Sequence, residues 1–262
     1  MRLVGAFPWH REQQRDGQWL GPWSDSGDAA AENVQLVVGD LCRIGEQHRH
    51  GNVGQSEDFA REHGGGVTHA CHASDMTILA VVLAAGGGSR FRGATHKLLA
   101  PLRGRTVLEH AIEHAHEAAL DETIVITGAV ELGDTVRFPV GVTVVHNARW
   151  ADGQATSLQV ALSYARAHGH TAMVVGLGDQ PFVPAEAWRL VAAAEADLAV
   201  AVLEGQRTPP VKITDVVWDE LPTSGDEGAR VLLRRRPDLV VPVACPGNPV
   251  DIDTAEDLAE WN

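Results

Sequence analysis

The sequence predicts a three-layer α/β/α sandwich with a mostly parallel sheet for residues 76–262. Three observations predict this class. Apolar runs of about four to eight residues, typical of buried strands, recur along this part of the chain. Segments whose apolar residues have helical spacing lie between most of these runs. These segments are long enough for right-handed crossovers, which join parallel strands and cover both faces of a sheet.

The individual elements follow in the order that such a sheet requires. The first strand is an unbroken apolar run that ends in three glycines. Thr106 is a typical N-cap, and the apolar residues after it recur at helical spacing. Pro184 suits the first turn of a later helix, where its missing N–H is not needed. The predicted strands are residues 78–85, 123–127, 142–146, 172–177, 198–203, 210–213 and 239–243, and the predicted helices are 106–115, 154–168, 184–196, 227–235 and a final helix capped by Asp253 or Thr254.

Residues 1–75 differ in composition from the rest of the chain. They are rich in Gly, Gln, His and acidic residues, and they hold only short apolar runs such as 34–38. They lack the basic start and continuous apolar core of a secretion signal. Their histidines and two cysteines match no zinc-binding spacing. We therefore expect a disordered leader rather than a domain, with Met76 as the natural first residue.

The overall charge excludes one class of partner. The 262 residues carry a formal net charge of -14 at pH 7, which disfavours nonspecific binding to DNA, RNA or anionic membranes. A nucleotide is still compatible, because its phosphates need only a local basic patch and a divalent cation. No apolar run approaches the length of a membrane span, and the three cysteines suggest no disulfide framework. We expect a cytoplasmic protein.

The segment after the first strand has the composition of a phosphate-binding loop. Glycines let the main chain approach a ligand closely and direct successive N–H groups at one point. Two arginines, Arg90 and Arg92, and Lys97 lie beside the loop. The spacing fits neither the dinucleotide fingerprint G-x-G-x-x-G nor a P-loop, which ends in Gly-Lys-Ser/Thr. The candidate nucleotide-binding residues here are Leu83, Ala84, Ala85, Gly86, Gly87, Gly88, Ser89, Arg90 and Lys97.

A second turn carries a carboxylate suited to a metal ion. Asp179 follows the buried strand 172–177 and precedes Pro181. Mg²⁺ prefers one or two protein carboxylates and takes its other ligands from phosphates and water. In a parallel sheet, ligands bind beyond the carboxyl ends of the strands. Asp179 and the glycine loop therefore share one edge, and they lie close together if their strands are neighbours.

These segments resemble a known signature. Residues 83–97 resemble the pattern L-A-A-G-x-x-x-R-x-G…K of nucleotidyltransferases that share the Rossmann-like nucleotide-diphospho-sugar transferase fold. Among them the chain is most similar to the molybdenum cofactor cytidylyltransferases, over residues 77–260. The resemblance implies catalytic roles for Arg90, Lys97 and Asp179, with Asp179 as a ligand of Mg²⁺ or Mn²⁺.

Two more segments extend this resemblance. Residues 251–257 are similar to a near-terminal D-x-D-T-P-E-D segment, which implies Asp253 as a second metal ligand, with Asp251 as the alternative. Gly153 and Ser157 match the segment that contacts the base in pyrimidine nucleotidyltransferases.

The acceptor side is less well matched. The family stretch S-G-D-x-G-A-R is kept at residues 224–230, whereas residues 208–209 are Thr-Pro where Gly-His or a similar pair is expected. The resemblance implies acceptor-binding roles for Gln180, Lys212, Gly225 and Arg230.

The implied reaction is transfer of a nucleoside monophosphate from a triphosphate to a phosphate-bearing acceptor, with release of pyrophosphate. CTP is favoured and GTP is the alternative. The implied acceptor is a molybdopterin-type cofactor, and a molybdenum hydroxylase apoenzyme is the implied protein partner. Guanylyl transfer to the same cofactor, cytidylyl transfer to a sugar or polyol phosphate, a nucleotide- or cofactor-binding chaperone, and reduction with NAD(P)H are the other hypotheses.

Overall fold

The computed structural model describes residues 35–37 and 76–262. Its strands are β1 (Gln35–Val37), β2 (Ile78–Ala84), β3 (Pro101–Leu102), β4 (Arg105–Thr106), β5 (Glu122–Thr127), β6 (Val142–His146), β7 (Ala172–Leu177), β8 (Leu198–Leu203), β9 (Gln206–Thr214) and β10 (Val240–Ala244). Its helices are α1 (Val107–Glu117), α2 (Gln154–Ala167), α3 (Ala185–Ala193), α4 (Arg230–Arg235) and α5 (Ala255–Trp261).

In this part of the chain, eight strands form one sheet in the order β1-β6-β5-β2-β7-β9-β8-β10. Only β9 runs antiparallel to its neighbours, so the predicted mostly parallel sheet is confirmed. The central strand β2 pairs with β5 on one side and β7 on the other. The loops after β2 and β7 therefore leave the same sheet edge side by side.

Helices cover both faces of the sheet, which confirms the three-layer sandwich. One face packs against α2 and α4 through residues such as Leu158 and Leu232. The other face packs against α1 and α3 through residues such as Ile112 and Trp188. The central strands β2, β5 and β7 are buried on both faces, because parallel strands joined by helical crossovers have no solvent-facing side.

Capping residues set where two of the helices begin. Thr106 accepts a hydrogen bond from the Glu109 N–H at 3.1 Å, and Glu109 accepts one from the Thr106 N–H at 2.6 Å. Thr254 and Asp257 form the same reciprocal pair at the start of α5. The predicted cap at Thr106 is confirmed, and of the two candidates for the final helix the cap is Thr254.

Strand β9 is longer than predicted, and its direction was not predicted. The prolines at positions 209 and 210 supply no N–H to a ladder, so the sequence favours a strand that starts at 210. The structure extends the strand from Gln206 to Thr214, with a register shift against β8 between Val200 and Ala201. Such an irregularity accommodates residues that cannot complete the ladder.

The N-terminal segment contributes one strand to the sheet. Residues 35–37 pair in parallel with residues 144–146 of β6. This pairing concerns three residues only, and the assignment of residues 1–75 as a leader rather than a domain stays a prediction. The predictions about the histidines and cysteines of the leader, and about Met76 as the first residue, concern residues outside those that the structure describes. No helix within residues 76–262 combines the length and apolar character needed to cross a membrane.

Candidate active site

The glycine loop presents main-chain donors that have no acceptor. Within residues 76–262, the N–H groups of Gly86, Gly87, Gly88 and Ser89 donate no hydrogen bond. Several main-chain carbonyls in and next to the loop, by contrast, accept hydrogen bonds from the protein. The Leu83, Ala85 and Gly88 oxygens accept from the N–H groups of Gly178, Ala129 and Phe91, respectively. Successive N–H groups with no partner form a binding site for an anion.

This loop lines a cavity of about 520 Å³ at the carboxyl edge of the sheet. Every residue predicted to bind the nucleotide lies on its wall: Leu83, Ala84, Ala85, Gly86, Gly87, Gly88, Ser89, Arg90, Lys97, Gly153 and Ser157. The predicted metal ligands Asp179 and Asp253 line it too. The structure thus brings these dispersed residues together, because β2 and β7 are neighbours.

Four charged side chains meet at one side of the cavity. The Lys97 ammonium lies 2.5 Å from Asp179 Oδ2 and 2.7 Å from Asp253 Oδ1. Arg90 Nη1 lies 3.0 Å from Asp253 Oδ2. Burial by itself would lower the pKa of Lys97, but the Asp179 and Asp253 carboxylates outweigh it and hold this pKa above its usual value. Lys97 is therefore a permanently charged, positioned cation at the cavity wall.

Asp253 is available to this cluster because its neighbour caps the helix. Thr254 supplies the cap of α5, and Asp257 accepts hydrogen bonds from the N–H groups of both Asp253 and Thr254. The Asp253 side chain is left to face Lys97 and Arg90. Asp253 therefore does not cap the helix, which was the alternative role for this residue.

A second cavity of about 610 Å³ adjoins the first. The two share a border made of Leu83, Arg90, Gln154, Leu177, Asp179, Asp226 and Asp253. Aliphatic side chains from β7, β8 and β9 line the second cavity, with Arg207, Arg230 and Arg234 also on its wall. The charged cluster thus stands between two spaces, as a site that joins two substrates requires.

Comparison with known proteins identifies the family. The family model described as "MobA-like NTP transferase domain" matches residues 80–240, which contain the glycine loop, Lys97, Asp179 and the 224–230 stretch. The chain belongs to the MobA-like NTP transferase family. It is thus one of the nucleotidyltransferases.

Individual relatives of this MobA-like domain carry different names. Nicotine blue oxidoreductase of Paenarthrobacter nicotinovorans is 32% identical over 199 residues, which cover 69% of this chain and 94% of that protein. The bifunctional protein GlmU of Symbiobacterium thermophilum is 31% identical over 154 residues, or 56% of this chain. The match spans only 31% of that GlmU.

Solved structures show the same fold. Rv0371c from Mycobacterium tuberculosis H37Rv is 30% identical with a TM-score of 0.57, over 71% of this chain and 97% of that one. A complex of that mycobacterial protein with manganese is similar as well, with a TM-score of 0.58.

The side chains of this MobA-like domain fit a divalent cation. Asp179 and Asp253 direct carboxylate oxygens at one common point, where the Lys97 ammonium now stands as a cation. Across residues 76–262, no three His, Cys, Asp or Glu side chains form a complete metal site. Two hard oxygen donors beside a phosphate-binding loop suit Mg²⁺ or Mn²⁺, which take further ligands from phosphates and water. Asp251 lies on the wall of the second cavity, and its Oδ1 is buried without a hydrogen-bond partner among residues 76–262.

Three of the four predicted acceptor-binding residues, Lys212, Gly225 and Gln180, line neither cavity. Lys212 is 2% exposed and donates to the Ala194 carbonyl at 2.7 Å, under the helix α3. It pairs across the sheet with Val174 and Ala199, whose side chains belong to the core on that face. The alternation of side chains along β9 turns Lys212 away while Val211 lines the second cavity. The acceptor role assigned to Lys212 is therefore wrong.

Gly225 and Gln180 act as supports for the walls. The Gly225 carbonyl accepts from the Ala155 N–H at 2.9 Å at the start of α2, and Gly225 lines neither cavity. A side chain at Gly153, whose φ is +108°, would lie 2.6 Å from that carbonyl. Gln180 is buried and donates to Thr208 Oγ1 at 2.8 Å. Of the four predicted acceptor residues only Arg230 lines the second cavity.

Several wall residues were missed by the sequence prediction. Trp150 lies against Gly87 and Gly128, on the wall of the first cavity. Asp226 lies on the border of both cavities. Asp226 could have been predicted, because it lies in the stretch 224–230 that matches the family pattern S-G-D-x-G-A-R. No sequence pattern indicated that Trp150 would line the cavity. Ser157, which was predicted, has its hydroxyl fixed by the Asn147 amide at 2.9 Å.

Proposed function

We propose that this protein transfers the nucleoside monophosphate of CTP to the phosphate of a molybdopterin-type acceptor and releases pyrophosphate. The observation that carries the proposal is the Lys97–Asp179–Asp253 cluster, which stands between a cavity with unpaired loop N–H groups and a second, arginine-bearing cavity. Family membership supports the reaction class. The base and the acceptor rest on the resemblance described above.

The residues have distinct tasks in this reaction. The loop N–H groups and Lys97 hold the triphosphate, and Arg90 reaches the same border. A phosphate oxygen of the acceptor attacks the α-phosphorus, the bond between the α- and β-phosphates breaks, and pyrophosphate departs with the electron pair. An acceptor phosphate is already ionised near neutral pH, so the chain needs no general base. Alignment and stabilisation of the charge on the equatorial oxygens supply the rate enhancement.

Asp179 and Asp253 are the residues that would hold Mg²⁺ or Mn²⁺. When bound, the cation supplies charge neutralisation at the phosphate oxygens. The chain's own contribution is the Lys97 ammonium, whose charge offsets those of the two carboxylates and so reduces their repulsion of the incoming phosphates. We also propose a molybdenum hydroxylase apoenzyme as the recipient of the product.

Pyrophosphate release tests this function. Each of the four ribonucleoside triphosphates is incubated with Mg²⁺ and purified molybdopterin-bound molybdenum, and pyrophosphate is measured against a sample without acceptor. We expect release with CTP that depends on the acceptor. Release with GTP instead would show guanylyl transfer, and release with a sugar or polyol phosphate would replace the acceptor. Binding of a triphosphate without any release would indicate a chaperone.

A second candidate function is reduction of a planar acceptor by NAD(P)H. The similarity to nicotine blue oxidoreductase across nearly the whole of that protein favours it, and the partly aliphatic second cavity is compatible with a flat organic molecule. In that reaction a hydride leaves the dihydronicotinamide and a proton comes from solvent. Loss of NADPH absorbance with a quinone-type dye, without any triphosphate, would support this candidate.

A further inference from the structure

We propose that His96 is a positioning residue that, from behind the glycine loop, directs the Gly87 and Gly88 N–H groups toward the triphosphate. The proposal rests on the proposed function for the identity of the ligand. Its structural part concerns only the loop and the imidazole beneath it.

The imidazole is tied at one nitrogen. The Leu98 N–H donates to Nδ1 at 3.3 Å and so caps the short 3-10 helix Lys97–Leu99. Because Nδ1 accepts, the neutral ring carries its proton on Nε2. Burial favours the neutral ring, since it lowers the pKa of His96 more strongly than the backbone carbonyls of Gly87 and Gly86 raise it. His96 therefore offers one N–H donor, at Nε2.

That donor faces the Gly86 and Gly87 carbonyls but forms no hydrogen bond of good geometry within residues 76–262. Nε2 is shielded from solvent and makes no hydrogen bond within the described residues. A side chain at Gly88, whose φ is +58°, would place its Cβ 2.6 Å from Nε2. His96 thus fills the space that any other residue at position 88 would need. Buried donors without an acceptor are rare, and each one requires an explanation.

The orientation of the loop peptides follows from this arrangement. The carbonyls of Gly86 and Gly87 face His96. The Ala85 and Gly88 carbonyls already accept hydrogen bonds from other main-chain N–H groups. In a trans peptide the C=O and the following N–H point in opposite directions. The N–H groups of Gly87 and Gly88 therefore point away from His96, and the cavity is lined by both glycines but not by His96.

The imidazole and the triphosphate act on opposite ends of the same two peptide units. Phosphate oxygens that accept from the N–H groups turn the carbonyls toward Nε2–H. A hydrogen bond from Nε2–H to either carbonyl in turn fixes the N–H groups toward the phosphates. The binding of phosphate thus supplies the partner that Nε2 lacks.

Two substitutions separate this role from the capping role. His96→Asn keeps an acceptor near the position of Nδ1 and removes the donor toward the loop. His96→Gln places an amide N–H near the position of Nε2 and removes the acceptor for Leu98. His96→Ala, which removes both, is measured beside them. Lys97 and Asp179 are unchanged in all three variants.

Affinity for CTP and GTP is measured by calorimetry. Cytidine and guanosine, which lack the phosphates, and inorganic tripolyphosphate, which lacks the nucleoside, are measured for comparison. We expect His96→Asn to weaken triphosphate and tripolyphosphate binding about tenfold, the effect of one hydrogen bond to a polar group, and to leave nucleoside binding unchanged. His96→Gln should bind triphosphates within about threefold of the unmodified protein, although its melting temperature falls. Equal affinity in the Asn variant, or loss confined to the Gln variant, would overturn the proposal.

Hydrogen exchange of the ligand-free protein provides a second readout. The amides of residues 86–88 should exchange faster in His96→Asn than in His96→Gln, because only the latter can hold the carbonyls. The reverse order, or no difference, would contradict the positioning role. If the unmodified protein binds no triphosphate at all, the proposed function fails, while the exchange comparison still decides the role of His96.

Discussion

Two polar clusters occupy opposite edges of the same sheet, and they differ in whether they face a cavity. At the carboxyl edge, Lys97, Asp179 and Asp253 open into two cavities. At the amino edge, Glu122 accepts from the Tyr164 hydroxyl and from His170 Nε2, the latter at 2.9 Å. None of these three residues lines a cavity described above.

The two clusters also differ in how their groups titrate. Burial alone would raise the pKa of Glu122, but the hydrogen bonds from His170 and Tyr164 outweigh it and hold this pKa below its usual value. Burial, and then the bond to Glu122, raises the pKa of Tyr164. The Glu122 cluster ties α2 to β5 and β7 and so stabilises the fold. A charged cluster that lines a cavity can serve a ligand, whereas a cluster that lines neither cavity serves stability.

The largest effect should come from Asp179→Asn. The variant removes one of the two carboxylates that face the cation, and we expect turnover to fall by roughly 10²- to 10³-fold, as for other electrostatic groups. The fold should remain, because Lys97 keeps Asp253 as a partner. Initial rates of pyrophosphate release and a thermal melt check both parts. A well-folded variant with near-normal turnover would remove Asp179 from the chemistry.

Glu122→Gln is the matched change at the other edge. It keeps the shape but removes the charge that Tyr164 and His170 bind, so the free energy of unfolding should fall by about 1–2 kcal/mol. Activity per folded molecule should not change, since Glu122 lies at the opposite edge from the cavities. Urea denaturation and initial rates provide the test. Lost activity at full stability would contradict the division between the two edges.

The same variant should change the response to acid. A carboxyl whose pKa is lower in the folded state contributes stability that is present above its unfolded pKa of 4.5 and is lost as the pH falls through the folded value. The difference in the free energy of unfolding between the unmodified protein and Glu122→Gln should therefore be constant above about pH 5.5 and shrink below about pH 4.5. Denaturation curves at several pH values measure this difference. A difference that grows as the pH falls would contradict the lowered pKa of Glu122.

The smallest effect concerns the corrected acceptor residue. Lys212→Met should leave the KM of the acceptor within about twofold, because the side chain points into the core under α3. Arg230→Gln, its control on the wall of the second cavity, should raise that KM about tenfold if it holds an acceptor charge. The opposite ranking would restore Lys212 to the site.

The sequence predicted the carboxyl edge better than the amino edge. The strands, the glycine loop and Asp179 follow from local patterns, and the neighbouring positions of β2 and β7 bring them together. Lys212 failed because a basic residue in a strand can face either side of a sheet, and one residue of register decides which. His96 and the Glu122 cluster could not be predicted, since their roles depend on contacts between residues that are distant in sequence or on a backbone conformation that no local pattern specifies.

A crystal structure with CTP and Mn²⁺, grown without acceptor, tests the central claim most directly. We predict phosphate oxygens within hydrogen-bond distance of the Gly86–Ser89 N–H groups and an anomalous manganese peak beside Asp179 and Asp253. A triphosphate bound away from these N–H groups, or manganese held by other side chains, would contradict the assignment of this edge as the nucleotide site.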